Sequence, residues 1–127
     1  MSVFEPIPCV IIESPYKATQ GYSVEQHLLY LQHCIADCIK RGESPYASHR
    51  FLTAFLDDDT PRERAFGIEA GYAWGARADK IAVYTDFGVS SPGMEAAINH
   101  YKSIGKPIER RTLDRRIVDD IIRSGMV

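Results

Sequence analysis

The chain has 127 residues, 45% of them hydrophobic and 25% charged, which is enough for one compact core and too little for two, so a single domain over residues 1–127 is expected. Fifteen basic against seventeen acidic residues leave a net charge of -2, and no whole-chain field draws it to a polynucleotide. No apolar run approaches the roughly 20 residues of a membrane helix. The 3 cysteines are odd in number and no basic-then-apolar leader opens the chain, which points to a reduced, cytoplasmic setting with no membrane partner.

From Pro8 to Glu13 the sequence PCVIIE is short, apolar and β-branched, and Ser14-Pro15 stops it, as in a buried strand. Ser23-Val24-Glu25-Gln26 has the pattern of a capping box, in which hydroxyl and amide satisfy each other's orphan backbone donors. A helix follows, with Val24, Leu28, Leu31, Ile35 and Ile39 at helical spacing and Gly42 where its end is released. Ser44 to Ser48 reads as a short, weak strand, and Leu56 to Thr60 as a polar, acidic connection. Thr60-Pro61-Arg62-Glu63 then combines a capping hydroxyl, a proline at the first helical position and a glutamate three residues on, which predicts a second helix reaching about Ala78. Gly67, Gly71 and Gly75 recur on one face of it, a pattern that suits close approach to a neighbour.

Lys80 to Thr85 is the second clear strand. Ser91 opens a third helix that ends at Gly105, Lys106 to Arg111 returns as a strand, and Asp114 caps a last helix carrying Ile117, Val118, Ile121 and Ile122. Strands alternating with helices imply an α/β domain whose parallel sheet, of about four to five strands, is covered on both faces. No internal repeat, low-complexity tract or linker interrupts it.

Ligands of open α/β sheets bind beyond the carboxyl ends of the strands. The loops expected there are Ser14-Pro15-Tyr16, the segment around His49, and Asp86 to Gly93. Ser90, Ser91, Pro92, Gly93 and Met94 form a turn opening into a helix, a plausible cradle for a phosphate or a sugar. Several residues have two readings. Asp58, in the run Asp57 to Asp59, either holds ribose hydroxyls or belongs to a solvated turn, and Arg64 either clamps a phosphate or pairs with those carboxylates. His49 is a ligand donor or a structural histidine, and Asp86 holds a ribose or starts the turn. Tyr72 and Trp74 suit packing or a subunit contact better than base stacking. Cys34 and Cys38 lie one helical turn apart beside His33, but no second pair of metal ligands accompanies them, so no metal or cofactor is expected. P-loop, dinucleotide and G-x-S-x-G motifs do not occur.

ESPY after the first strand, the block SHRFLTAFLDDDTPRERAFGIEAG, the strand ADKIAVYTD, then SSPGM and GKPIE, resemble the nucleoside 2-deoxyribosyltransferase superfamily, especially its small, often phage-encoded members. The resemblance spans roughly Val10 to Leu113. It implies a flavodoxin-like fold, a homo-oligomer, and a nucleoside or nucleotide ligand whose N-glycosidic bond is cleaved or exchanged by a glutamate assisted by a tyrosine. Tyr16 matches that tyrosine, and Ser91 falls where nucleotide-hydrolysing relatives carry a serine near the 5′-phosphate. The glutamate's usual position, four residues after the turn glycine Gly93, is Ala97.

Glu95 is the nearest carboxylate on that helix, but at about 100° per residue it points roughly 200° away from the direction of Ala97. A distorted helix start or a neighbouring subunit could still bring Glu95, or Glu13, to a sugar. Two functions therefore stand side by side: an enzyme acting at the glycosidic bond with Tyr16 and Glu95, and a catalytically silent descendant that sequesters or senses a nucleotide signal.

Overall fold

A computed structural model describes residues 5–16, 21–89 and 91–125. Along them the chain runs β1 (Cys9–Glu13), α1 (Val24–Lys40), β2 (Ser44–Tyr46), α2 (Ser48–Phe51), a 3-10 turn (Leu52–Ala54), α3 (Pro61–Arg77), β3 (Lys80–Tyr84), α4 (Pro92–Ser103), β4 (Ile108–Arg111) and α5 (Arg115–Ser124). The strands form one sheet in the order β2-β1-β3-β4, every neighbouring pair parallel. This is the expected α/β class, with the strand order of a three-layer flavodoxin-like fold. Among the described residues no helix is long and apolar enough to cross a membrane.

Strand alternation divides the core between the two layers. Val10, Ile12, Ala82 and Tyr84 pack with Tyr30 and Leu31 of α1 and with Val118 and Ile121 of α5. Ile11, Ile81 and Val83 face the other way, against Met94, Ala97, Ile98 and Tyr101 of α4, with Tyr72 of α3 alongside.

The helix signals are local, and most of them act as written. Ser23 Oγ accepts from the Gln26 amide at 3.1 Å while Gln26 Oε1 accepts from the Ser23 amide at 2.9 Å, closing the capping box. The same Gln26 donates through Nε2 to the Ile121 carbonyl at 3.2 Å, so the cap of α1 also ties down α5. Gly42 has φ +80°, which lets the chain leave α1 at little steric cost. Asp114 caps α5 through the Arg116 amide at 2.8 Å.

One expectation about α3 needs correction, and the other finds its partners. The Thr60 box does not close: Thr60 Oγ1 donates to Asp57 Oδ2 at 2.7 Å, and Glu63 accepts from the Asp57 amide at 3.2 Å, so the tight acidic turn takes both groups. The close approach that the glycine spacing suggests is made against other segments of this same chain. A β-carbon on Gly75 would lie 2.2 Å from Tyr101 Oη, and one on Gly71 would lie 2.8 Å from Ser48 Oγ.

Asp86 also differs from its ribose reading. Its carboxylate accepts from Tyr30 Oη at 2.6 Å and from the Leu113 amide at 3.1 Å, locking the turn after β3 to α1 and to the segment before α5. Cys34 and Cys38 are buried in the α1/α5 core, and burial pushes both thiols up. That layer also encloses Arg111, which donates from Nη1 and Nη2 to the two carboxylate oxygens of Glu43, each at 2.7 Å. Lys80 and Glu109 complete the cluster, and Arg111 holds Glu43 down to about 2.

Candidate functional site

Beyond the carboxyl ends of β1 and β2 the chain encloses a cavity of about 530 Å3. That volume suits a small organic ligand. Its floor is the end of β1, where Glu13 leads into Ser14, Pro15 and Tyr16. One wall is α2 and the 3-10 turn, with Ser48, His49, Leu52 and Thr53; a second is Leu56, Asp58 and the outward half of α3 to Tyr72. The third is the first turns of α4, from Ser91 through Met94 to Ala97, and Tyr101.

The sequence gives no periodic signal for residues 48–54, so the segment around His49 is expected at this edge but not the short helix and 3-10 turn in which it is built. Its position follows from β2: a parallel strand ending at Tyr46 delivers the next residues to the same sheet edge as Ser14. There Ser14 Oγ lies 3.0 Å from His49 Nε2, and the rings of Tyr16 and His49 meet edge to face with centroids 6.2 Å apart. Thr53 Oγ1 donates to the His49 carbonyl at 2.6 Å, holding the turn. Burial pushes His49 down to about 4, so its imidazole is neutral at pH 7. It can exchange hydrogen bonds with a ligand but brings no positive charge.

At the mouth, Arg64 Nη1 reaches both oxygens of Asp58, at 3.0 and 3.2 Å. The opposite end is the start of α4. Ser91 Oγ accepts from the Met94 amide at 3.3 Å and the Ser91 carbonyl accepts from the Glu95 amide at 3.0 Å, while Pro92 has no amide hydrogen. The cap therefore uses much of the turn's donor capacity itself. The Ser91 hydroxyl hydrogen and the Gly93 amide remain to meet a ligand. Gly93 is open, since an added β-carbon would meet nothing within 4 Å.

Of the residues singled out from sequence, Ser14, Pro15, Tyr16, His49, Asp58, Arg64, Ser91, Gly93 and Met94 line this one cavity. Ser90 lies outside the described residues. Asp86 is engaged elsewhere, as described above, and Glu95 is exposed and does not line the cavity. The cause for Glu95 is helical geometry: α4 is regular from Pro92, so the position that turns inward is Ala97, 3% exposed. Tyr72 stacks on His100 with ring centroids 4.0 Å apart and borders the cavity, whereas Trp74 is 58% exposed on the outer side of α3.

Glu13 is the carboxyl that the cavity does contain. Burial pushes it up to about 7, and it forms no hydrogen bond or ion pair with the described residues. The signal was present in the strand pattern, because Glu13 falls on the same side of β1 as Ile11, where a core residue is expected. A second cavity, of about 520 Å3, opens beside β2 between Tyr46, Phe51 and Trp74. It gathers far fewer groups capable of chemistry.

The model of a family described as a domain of unknown function (DUF7768) matches residues 8–111, and the chain belongs to that family. The match begins just before β1 and ends with β4, so it takes in the whole sheet and every cavity wall. No curated protein and no solved structure matches the chain.

Proposed function

We propose that this member of the DUF7768 family binds a nucleoside or a lightly charged nucleotide in the cavity at the carboxyl edge of its sheet. The observation that carries the reading is the convergence of Ser14, Tyr16 and His49 with Ser91 and Gly93 around a space whose other walls, Leu52, Leu56, Ile68 and Ala97, are apolar. A nucleoside has that division of character: a flat, largely apolar base joined to a sugar rich in hydroxyls. The resemblance of ESPY and SSPGM to nucleoside 2-deoxyribosyltransferase segments supports the same choice.

Charge favours the nucleoside over a polyphosphate. Among the described lining residues Arg64 is the one permanent cation, already paired with Asp58, while Glu13 and Glu63 add further carboxyls. The missing inward carboxylate on α4 supports a binding function at that helix and not chemistry by Glu95. Self-association belongs to this reading as well, and the exposed Phe51, Phe55, Phe66 and Trp74 support it. Light scattering that finds only a 14.3 kDa species would remove that part.

Titration calorimetry with deoxynucleosides, ribonucleosides and their mono- and triphosphates tests the central reading. We expect saturable binding of at least one nucleoside, with the triphosphate no tighter than the nucleoside. Absence of saturable binding across the panel at millimolar concentration would overturn it.

A further inference from the structure

The second cavity, beside β2, is opposite to the first in charge. Its lining includes Arg50 and Arg77 and no Asp or Glu, whereas the first holds Glu13, Asp58 and Glu63 around Arg64. Arg50 forms no hydrogen bond or ion pair with the described residues, and Arg77 is engaged there only by the Ala73 carbonyl, at 2.8 Å. In a chain of net charge -2, two guanidiniums without a carboxylate border one cavity. Its wall is aromatic: the Tyr46 ring centroid lies 6.3 Å from that of Phe51 and 5.8 Å from that of Trp74. Phe51 is 57% and Trp74 58% exposed, so two large rings stand beside a space of about 520 Å3 with much of their apolar surface uncovered. Covering such surface is favourable. The Tyr46 hydroxyl of the same wall is buried without a partner among the described residues, where a buried donor ordinarily has one.

β2 is an edge strand, and an edge of this kind ordinarily invites an added strand. Pro45 stands against that. Ser44 donates its amide to the Pro8 carbonyl at 2.8 Å, which turns the backbone groups of the next residue, Pro45, to the open side, and proline has no N–H to give. The occupant that fits is therefore a compact ligand and not an extended peptide paired to β2. We propose that the groove beside β2 is a second binding site, for a small anion carried on an aromatic ring. The ring lies against Tyr46, Phe51 and Trp74, and the anionic group lies in the positive field of Arg50 and Arg77. A planar guanidinium matches the paired oxygens of a carboxylate or a phosphate, and the volume suits a small organic molecule. Nothing in this site depends on the nucleoside reading of the first cavity.

Trp74 is the single tryptophan of the chain and borders this cavity but not the first, so its indole N–H signal in nitrogen-15 NMR reports occupancy here. The full chain is titrated with phenylpropionate, phenylpropionamide and phenylpropylamine, which share a ring and a linker but carry negative, no and positive charge, and with phenyl phosphate. We expect saturable shifts with an anion, at least about 5-fold tighter than with the amide and weakest with the amine, the scale of an exposed ion pair. The stronger of the carboxylate and the phosphate ester identifies the anionic group. Arg50→Gln combined with Arg77→Gln should bring the anion down to the affinity of the amide, and added salt should do the same to wild type. Both arginines are exposed, so the double variant should unfold with wild type, and the charge series on wild type stands whether or not it does. Equal affinity for anion, amide and amine overturns the proposal, as does unchanged anion affinity in a folded double variant or the absence of any saturable shift at millimolar concentration. A Trp74 signal that moves with protein concentration and not with ligand shows a second copy in the groove, and overturns it as well. None of these outcomes touches nucleoside binding in the other cavity.

Discussion

Glu43 and Glu13 are the same residue type, one buried and one partly buried at the cavity, and their carboxyls are driven in opposite directions. On the α1/α5 side Arg111 meets both oxygens of Glu43, with Lys80 behind it, and the acid is held down to about 2. Tyr84 likewise donates to Asp37 at 2.7 Å and Tyr30 to Asp86 at 2.6 Å in that layer. On the α3/α4 side Glu13 has no such partner and burial alone pushes it up to about 7. The pair teaches that a partner can outweigh burial in deciding the state of an acid: the more deeply buried of the two is the one held ionised. One layer of this fold is electrostatically closed, and the other holds an acid open toward a cavity.

The largest way to break this comparison is to remove the partner. Arg111→Met leaves Glu43 buried against Lys80 alone and should cost about 3–5 kcal/mol in urea unfolding. Adding Glu43→Gln to it should restore most of that loss, because the uncompensated charge is then gone. A single-variant loss below about 1 kcal/mol would mean that the cluster behaves like a surface ion pair.

Next in size is Gly75→Ala. Its new methyl would collide with the Tyr101 ring, forcing α3 away from α4 and costing about 1–3 kcal/mol by thermal denaturation. Gly93→Ala, in open space on the same layer, should change stability by less than about 0.5 kcal/mol. Equal losses from the two would contradict the close contact of α3 with Tyr101 at Gly75.

A smaller effect comes from Glu13 itself and depends on pH. Its folded-state pKa, about 7, lies above the ordinary value of 4.5, so its contribution is present below pH 4.5 and lost as pH rises through 7. His49 works the other way: its pKa falls from 6.5 to about 4, so ionisation of the unfolded chain lowers stability as pH falls from 6.5 toward 4. The two slopes oppose each other between pH 4.5 and 6.5. Glu13→Gln should therefore gain stability over wild type with rising pH, reaching about 1–2 kcal/mol at pH 8. An offset that stays constant across urea titrations from pH 4.5 to 8 would show that Glu13 does not carry this shift. Smallest is Ser91→Ala, expected to lose about 1 kcal/mol through the Met94 cap, measured by thermal unfolding.

What the sequence made legible was mostly what one turn of chain decides. PCVIIE, the Ser23 box, Pro61 and Asp114 carry their meaning within a few residues, and β1, α1, α3 and α5 appear where they indicate. The alternation of strands and helices also predicted that Ser14–Tyr16, His49 and Ser91 gather at one edge. Contacts distant in sequence were not legible. Spacing put Gly71 and Gly75 on one face but could not say that Ser48 and Tyr101 would fill it. The position of Asp86 suggested a ligand or a turn, and only the approach of Tyr30 and Leu113 decides between them. The side on which Glu13 falls could be read from alternation, but whether a cation stood opposite could not.

The central place of β1 has a consequence for how the chain assembles. Ile11 lies between Tyr46 on one side and Ile81 on the other, so no hairpin of neighbours can start the sheet. An apolar strand made first must wait for partners made much later, which places the chain among topologies whose folding is limited by bringing remote segments together. The cavity needs residues from β1, α3 and α4, and is therefore among the last features to exist. A ligand arriving there cannot guide the early search. By holding the three segments together it would act afterwards as a latch, slowing the exit from the finished state.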